Sequence, residues 1–232
     1  MRKILKIDEQ YHENIRTFSR REGLSALFLF AVIFFGYAVL GYLAEYMDGN
    51  KNIYIGIIFN TVISAITIIF VKMSKRNITS IGIKSGKQVL SIAIGSILAG
   101  ILLFNNCLSY LFAGNNLVPI KEILLFIVFY FSVAVCEEFV FRGYIGTRIY
   151  SLVKYKSIAV IFTGILFVFM HFPYRMFAYG MTLSDLFGNV SWIIDLFVTH
   201  IVFSLIYMKT NSLYGAIIPH WISNLAYNII DR

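Results

Sequence analysis

Seven apolar runs, most of them about as long as a bilayer crossing, follow one another along this chain, and no other feature limits its fold so strongly. They cover residues 24–47, 53–73, 89–112, 123–145, 157–172, 190–208 and 213–230. In hydrocarbon every backbone N–H and C=O must find its partner inside the protein, which restricts single apolar spans to helices. The expected fold class is therefore all-α: a polytopic transmembrane helical bundle of about seven spans (six to eight). Composition agrees, since 59% of the residues are hydrophobic and 14% charged, far from the balance of a soluble domain. The fifth run is the shortest, because Pro173 is expected to end it with His171 at its edge.

Charge sets the orientation. Fifteen of the 20 basic residues fall in the arm 1–23, in 72–87, in 148–156 and at Lys209, while the alternate connections hold only Lys51, Lys121, Arg175 and Arg232. The positive-inside rule then places the N-terminus in the cytoplasm and the C-terminus outside. The formal net charge of +8 is explained by that orientation and by attraction to an anionic leaflet, so the bilayer is the expected partner and nucleic acid is not.

The chain divides into a cytoplasmic basic arm (1–23), N-terminal transmembrane helices (24–112) and a segment rich in intramembrane polar residues (120–230). In the arm, Arg2, Lys3, Lys6, Arg16, Arg20 and Arg21 alternate with Asp8, Glu9, Glu13 and Glu22, which reads as a solvated or interfacial helix ahead of an uncleaved first span. Residues 173–189 form either an interfacial amphipathic helix or a loop that caps a cavity. Cys107 and Cys136 lie in apolar runs, as small core residues do. Glu45, Asp195 and His200 are expected in interfacial or packing roles.

Within the fourth run, CEEFVFRG brings Glu137, Glu138 and Arg142 into a setting where each charge costs roughly 2.5–3.5 kcal/mol unless it is paired or used. Glu138 and Arg142 are i and i+4, with the acid first, the order that favours an ion pair on one helix face. That pair is expected to be structural. Glu137 is turned about 100° from Glu138 and has Phe141 at its own i+4 position, so it needs another partner, a wet cavity or a proton.

Partners are available in two other runs: His171 ends the fifth, and His220 and Asn224 lie one turn apart in the seventh. At ~1.5 Å per residue from the inner end of each span, Glu137 and His220 fall about 12 Å deep, Asn224 about 17 Å and His171 about 21 Å. All four are in the middle band of a ~30 Å core. A carboxylate and a His sharing a water form a general-base pair, and a second His with an Asn amide supplies two donors to an oxyanion. Pro219, which cannot donate to the Gly215 carbonyl, is expected to bend the helix just before His220.

The EExxxR at Glu137, Glu138 and Arg142, the FxxxH at Phe167 and His171, and the HxxxN at His220 and Asn224 stand in this order in separate runs. Together they resemble the three motifs of the CAAX protease and bacteriocin-processing (CPBP, or Abi) family of intramembrane endopeptidases, and GxxxPH at Gly215 to His220 adds to the likeness. The resemblance covers roughly residues 120–230. It implies peptide-bond hydrolysis with Glu137 and His171 activating water and His220 and Asn224 holding the oxyanion. Metalloprotease is a frequent label in that family, and Zn²⁺ would be held by Glu137, His171 and His220; yet the HExxH helix is absent, and a Glu/His pair needs no cofactor. No metal is the expectation.

The resemblance implies one of three roles: members of that family trim prenylated CAAX proteins, process secreted peptides or confer bacteriocin immunity. Richness in Ile, Lys, Asn, Phe and Tyr hints at an AT-rich bacterial genome and a cell-membrane location, favouring peptide processing or self-immunity. Two other classes stay open: a non-catalytic immunity or binding protein, and a transporter with Glu137 and the histidines as proton relay, against which stands the lack of an internal repeat.

Overall fold

The computed structural model describes residues 7–47, 50–153 and 155–231. Arg2, Lys3, Lys6, Lys154 and Arg232 of the charge asymmetry lie outside the described residues. Among the described residues the chain forms nine helices: α1 (Glu9–Arg16), α2 (Arg20–Glu45), α3 (Asn50–Met73), α4 (Gln88–Phe112), α5 (Ile120–Ser151), α6 (Lys156–Ala178), α7 (Leu183–Gly188), α8 (Val190–Thr210) and α9 (Tyr214–Asn228). Six of them, α2 to α6 and α8, are long and apolar enough to cross a membrane. The seventh expected span is α9, which has 15 residues and is therefore only about 22 Å long.

The helices pack in pairs, α9 on α4 and on α5, α2 on α6, and α3 on α5. Small residues allow the closest approaches. A Cβ on Gly95 of α4 would stand 2.9 Å from the Cα of Gly215, and one on Gly41 of α2 would stand 2.8 Å from the carbonyl oxygen of Tyr174 in α6. Ser91 reinforces the first contact by accepting a hydrogen bond from the Gly215 N–H at 2.8 Å and donating to the Ser212 carbonyl at 3.0 Å. This is the packing expected where hydrocarbon surrounds the bundle and backbones must approach closely to gain dispersion and hydrogen bonds.

Described members of the basic set meet at one end of the bundle. Ser19 and Glu22 form a capping box at the start of α2, and the Arg76 guanidinium joins it, 2.9 Å from Glu22 Oε1 and donating to the Thr17 carbonyl at 2.7 Å. Lys87 pairs with Asp8 at 3.1 Å. The arm differs from the solvated or interfacial helix expected of it: α1 buries Tyr11 and Ile15, and Phe18 follows, against Tyr150, Tyr207 and Met208. The alternating charges of the arm concealed this apolar stripe. Arg148, counted among the inner basic residues, is fully buried; it donates to the Ser80 hydroxyl and to the Gly143 carbonyl and lies 4.3 Å from the Phe18 ring.

Three elements differ in extent from the apolar runs. First, α5 continues to Ser151 and contains a π-helical stretch, Glu138–Ile145, where a regular helix was expected over 123–145. π-Turns place an extra residue in the turn and widen it, and they recur at functional sites. Second, α6 runs through Pro173 to Ala178 rather than stopping before it, so His171 sits within the helix and Arg175 in its last turn. Third, residues 173–189 are the end of α6, a turn with Gly180 at φ +63°, and the short α7. Thr182 and Asp185 cap α7 reciprocally, and its Leu186 is buried with Val168 and Phe172.

Candidate functional site

The π-stretch of α5 meets α6, α8 and α9 at a buried polar cluster. Glu137 closes the α-helical part of α5 and Glu138 opens the wide turn; both are buried. Arg142 Nη1 lies 3.0 Å from Glu138 Oε1 with both side chains fully enclosed, so the i, i+4 pair expected from the sequence is present. The contact is a charge contact without hydrogen-bond geometry, because the three guanidinium nitrogens have no hydrogen-bond partner among the described residues. The plane of the cation is instead held by aromatic rings, Phe167 at 4.5 Å and Phe203 at 5.5 Å, where the ring quadrupole attracts it.

Glu138 does more than face Arg142. Its Oε1 accepts a 2.8 Å hydrogen bond from Nδ1 of His220 on α9, 82 residues away. His171 on α6 is anchored in a parallel way, its Nδ1 bonding to the Phe167 carbonyl at 2.8 Å. Each acceptor assigns the ring proton to Nδ1, which leaves the Nε2 lone pair of both neutral imidazoles free. Both lone pairs face the same atom: Nε2 of His220 is 3.7 Å and Nε2 of His171 is 4.0 Å from Glu137 Oε2. That oxygen has no hydrogen-bond partner among the described residues. Glu137, His171 and His220 thus converge from three helices.

Asn224 follows His220 by one turn of α9 and is half-buried; its main-chain carbonyl accepts from Asn228 Nδ2 at 2.8 Å. His200 is buried, 5.5 Å from the Phe167 ring, with Ser204 3.2 Å from its Nε2, a packing environment. Asp195 and Glu45 are exposed on the bundle surface. Cys107 and Cys136 are free and buried.

The sequence left two parts of the site out. The link from Glu138 to His220 joins residues in different helices, and nothing local to either signals it. The second is a cavity of about 260 Å³ that reaches Glu137, built largely from α2 and α3, which carry no recognisable motif. The polar side chains Tyr37 and Asn60 within apolar runs were its one trace.

A tetrahedral Zn²⁺ with bonds of ~2.0–2.1 Å would separate its ligand atoms by about 3.4 Å. The two nitrogens stand 3.7 and 4.0 Å from Glu137 Oε2, and among the described residues no group of three His, Cys, Asp or Glu is spaced to hold a metal. As placed, the set does not fit the ion.

Searches of curated proteins and of solved structures found no match. The motif-bearing segment is similar to a described family: residues 119–226 match the family model for type II CAAX prenyl endopeptidase Rce1-like proteins, which agrees with the family that the three motifs resemble.

Proposed function

We propose that this multi-pass membrane protein is an intramembrane endopeptidase, hydrolysing a peptide bond of a membrane-associated protein or peptide with a water activated by Glu137 and His171. The observation that carries the reading is the convergence of two imidazole lone pairs on one buried carboxylate oxygen, at 3.7 and 4.0 Å. Three acceptors with no proton between them repel unless a donor lies among them. A water about 2.8 Å from these atoms would see Glu137 Oε2 and a nitrogen at about 83° for His220 or about 91° for His171, and it can donate its two hydrogens to the carboxylate and to His171.

The residues divide the work as follows. Glu137 takes a proton from the water as its oxygen bonds to the substrate carbonyl carbon, and the carbonyl electrons move onto oxygen. His171, held by the Phe167 carbonyl, orients that water. Asn224 donates its amide N–H to the oxyanion. His220, fixed through Nδ1 by Glu138, presents Nε2 to the same centre and, on sharing the proton that Glu137 has taken from the water, hydrogen-bonds the oxyanion with it. The proton on Glu137 passes to the amide nitrogen as the C–N bond breaks, and an amine and a carboxylic acid leave. No metal is required by this scheme.

The same reading places peptide processing, including bacteriocin self-immunity, ahead of prenylated substrates. Purified Glu137→Gln in liposomes is the test. It keeps shape and volume but removes the base, so cleavage should fall by at least ~10²-fold with the fold intact. Full activity in that variant would refute the assignment. Asn224→Ala should cost ~10²–10³-fold in kcat, the usual effect of losing one oxyanion donor.

A further inference from the structure

The cavity beside Glu137 is directional. Its walls run along α2 from Tyr37 to Met47, along α3 from Asn52 to Asn60 and along α5 from Phe129 to Glu137, with Tyr174 and Tyr179 of the α6 end closing one side. At ~1.5 Å per residue these stretches are about 12–15 Å long. Glu137 lies at one extreme. At the other are Met47 and Asn52, beside the α2–α3 connection. That is the opposite end of α2 from Glu22, where the Arg76 ion pair marks the basic end of the bundle. The cavity therefore leads from the end of the bundle poor in Lys and Arg down to the candidate catalytic carboxylate.

Its lining suits a peptide more than a polar metabolite. The walls are chiefly aliphatic and aromatic, and Gly56 lets the Phe129 ring pack directly against α3, since a Cβ there would stand 2.6 Å from that ring. Polar groups are few and spaced along the length. Asn60 is buried and donates to the Ser132 hydroxyl at 3.3 Å. Asn52 near the mouth donates to the Met47 carbonyl at 2.9 Å, while its Oδ1 is buried with no partner among the described residues. An extended chain advances ~3.3–3.6 Å per residue, so 12–15 Å holds about four residues. Such a chain brings apolar side chains for the walls and backbone N–H groups for a buried acceptor such as Asn52 Oδ1, which is costly to leave unpaired.

We propose that this cavity admits about four extended, apolar residues of the substrate, inserted from the end opposite the basic one, so that the scissile bond reaches Glu137. With the basic end on the cytoplasmic leaflet, the substrate is an exported or outward-facing peptide and not a cytosolic protein. The direction of access and the apolar selectivity are determined by α2 and α3, which lie outside the family-matched segment 119–226. The inference rests on the endopeptidase reading for the role of Glu137, but its test reads access separately from cleavage.

Ala44→Cys and Met47→Cys, each in the full chain, place single reactive thiols at the mouth; the two native cysteines are buried. Right-side-out and inverted vesicles are treated with a membrane-impermeant maleimide, with and without a Leu/Phe/Ala hexapeptide. Labelling should be several-fold faster in right-side-out vesicles, and the hexapeptide should slow it. Repeating the protection in a Glu137→Gln background, where binding remains without chemistry, separates the two readings. Protection there with no cleavage by the unlabelled active chain would leave the access path standing and overturn the protease. Faster labelling in inverted vesicles, or cleavage that persists unchanged after both thiols are fully labelled, would overturn the access path and leave the protease intact.

Discussion

Glu138 Oε1 and Nδ1 of His220 are 2.8 Å apart, and the same oxygen is 3.0 Å from Arg142 Nη1. One atom thus answers both a guanidinium on its own helix and an imidazole on another. The second glutamate of the motif is consequently a positioning residue as well as half of an ion pair. Glu138→Gln keeps an acceptor for His220 but removes the negative charge that faces Arg142. Cleavage should drop by about 10²-fold in kcat with KM little changed, whereas a purely structural role would instead lower the yield of folded protein. Glu138→Ala should also lower stability by ~3–5 kcal/mol, because Arg142 is left buried without its partner.

Metal removal gives a second expectation. In the proposed scheme Glu137, His171 and His220 hold a water and no metal, in keeping with separations of 3.7 and 4.0 Å from the carboxylate oxygen. Cleavage by the purified protein should therefore survive dialysis against EDTA and 1,10-phenanthroline, with no stoichiometric zinc by elemental analysis. Loss of activity on chelation, restored by Zn²⁺, would contradict the metal-free scheme.

The α4–α9 contact holds His220 and Asn224 in place, and it depends on two glycines. Gly95→Leu would drive a side chain into the Gly215 backbone, already 2.9 Å from a Cβ at that position. Overpacking of this kind costs ~1–3 kcal/mol, and here it also displaces the helix carrying His220 and Asn224, the proposed oxyanion donors. The thermal midpoint should fall and kcat with it, while Gly100→Leu, whose Cβ meets nothing within 4 Å, should change neither.

Acid should loosen α7 first. The Asp185 carboxylate accepts from the Thr182 hydroxyl and main-chain N–H at 2.7 and 2.8 Å, and these bonds hold its pKa below the ordinary aspartate value. Since the folded pKa is the lower one, the cap contributes fully above the unfolded value near 3.9 and is lost as pH falls through the folded value. Hydrogen exchange at the amides of Leu183–Gly188 should accelerate below about pH 4 beyond the intrinsic pH dependence, and Thr182→Ala should abolish that excess.

Local rules account for much of what could be read without a structure. Hydropathy windows and period fix where helices run and how many cross, because a backbone in hydrocarbon has no alternative. Helical spacing pairs Glu138 with Arg142, since i and i+4 are neighbours whatever surrounds them. The three motifs marked Glu137, His171 and His220, and depth counting put them in one band. The same rules misjudged the span ends. Pro173 removes one hydrogen bond but α6 has neighbours to support it through that point, and the apolar stripe Tyr11, Ile15 and Phe18 is too short to stand out among the arm's charges.

Tertiary structure decided what no local rule contains. The Nε2 atoms come within 4.0 Å of Glu137 Oε2 because α6 and α9 both pack against α5. The link from Glu138 to His220 exists only because α5 and α9 pack together, and the cavity is enclosed by residues of α2, α3, α5 and α6. Each is a distance between residues far apart in the chain. Sequence alone determined which side chains hydrocarbon would not tolerate unpaired; the packing of the helices decided which partners they found.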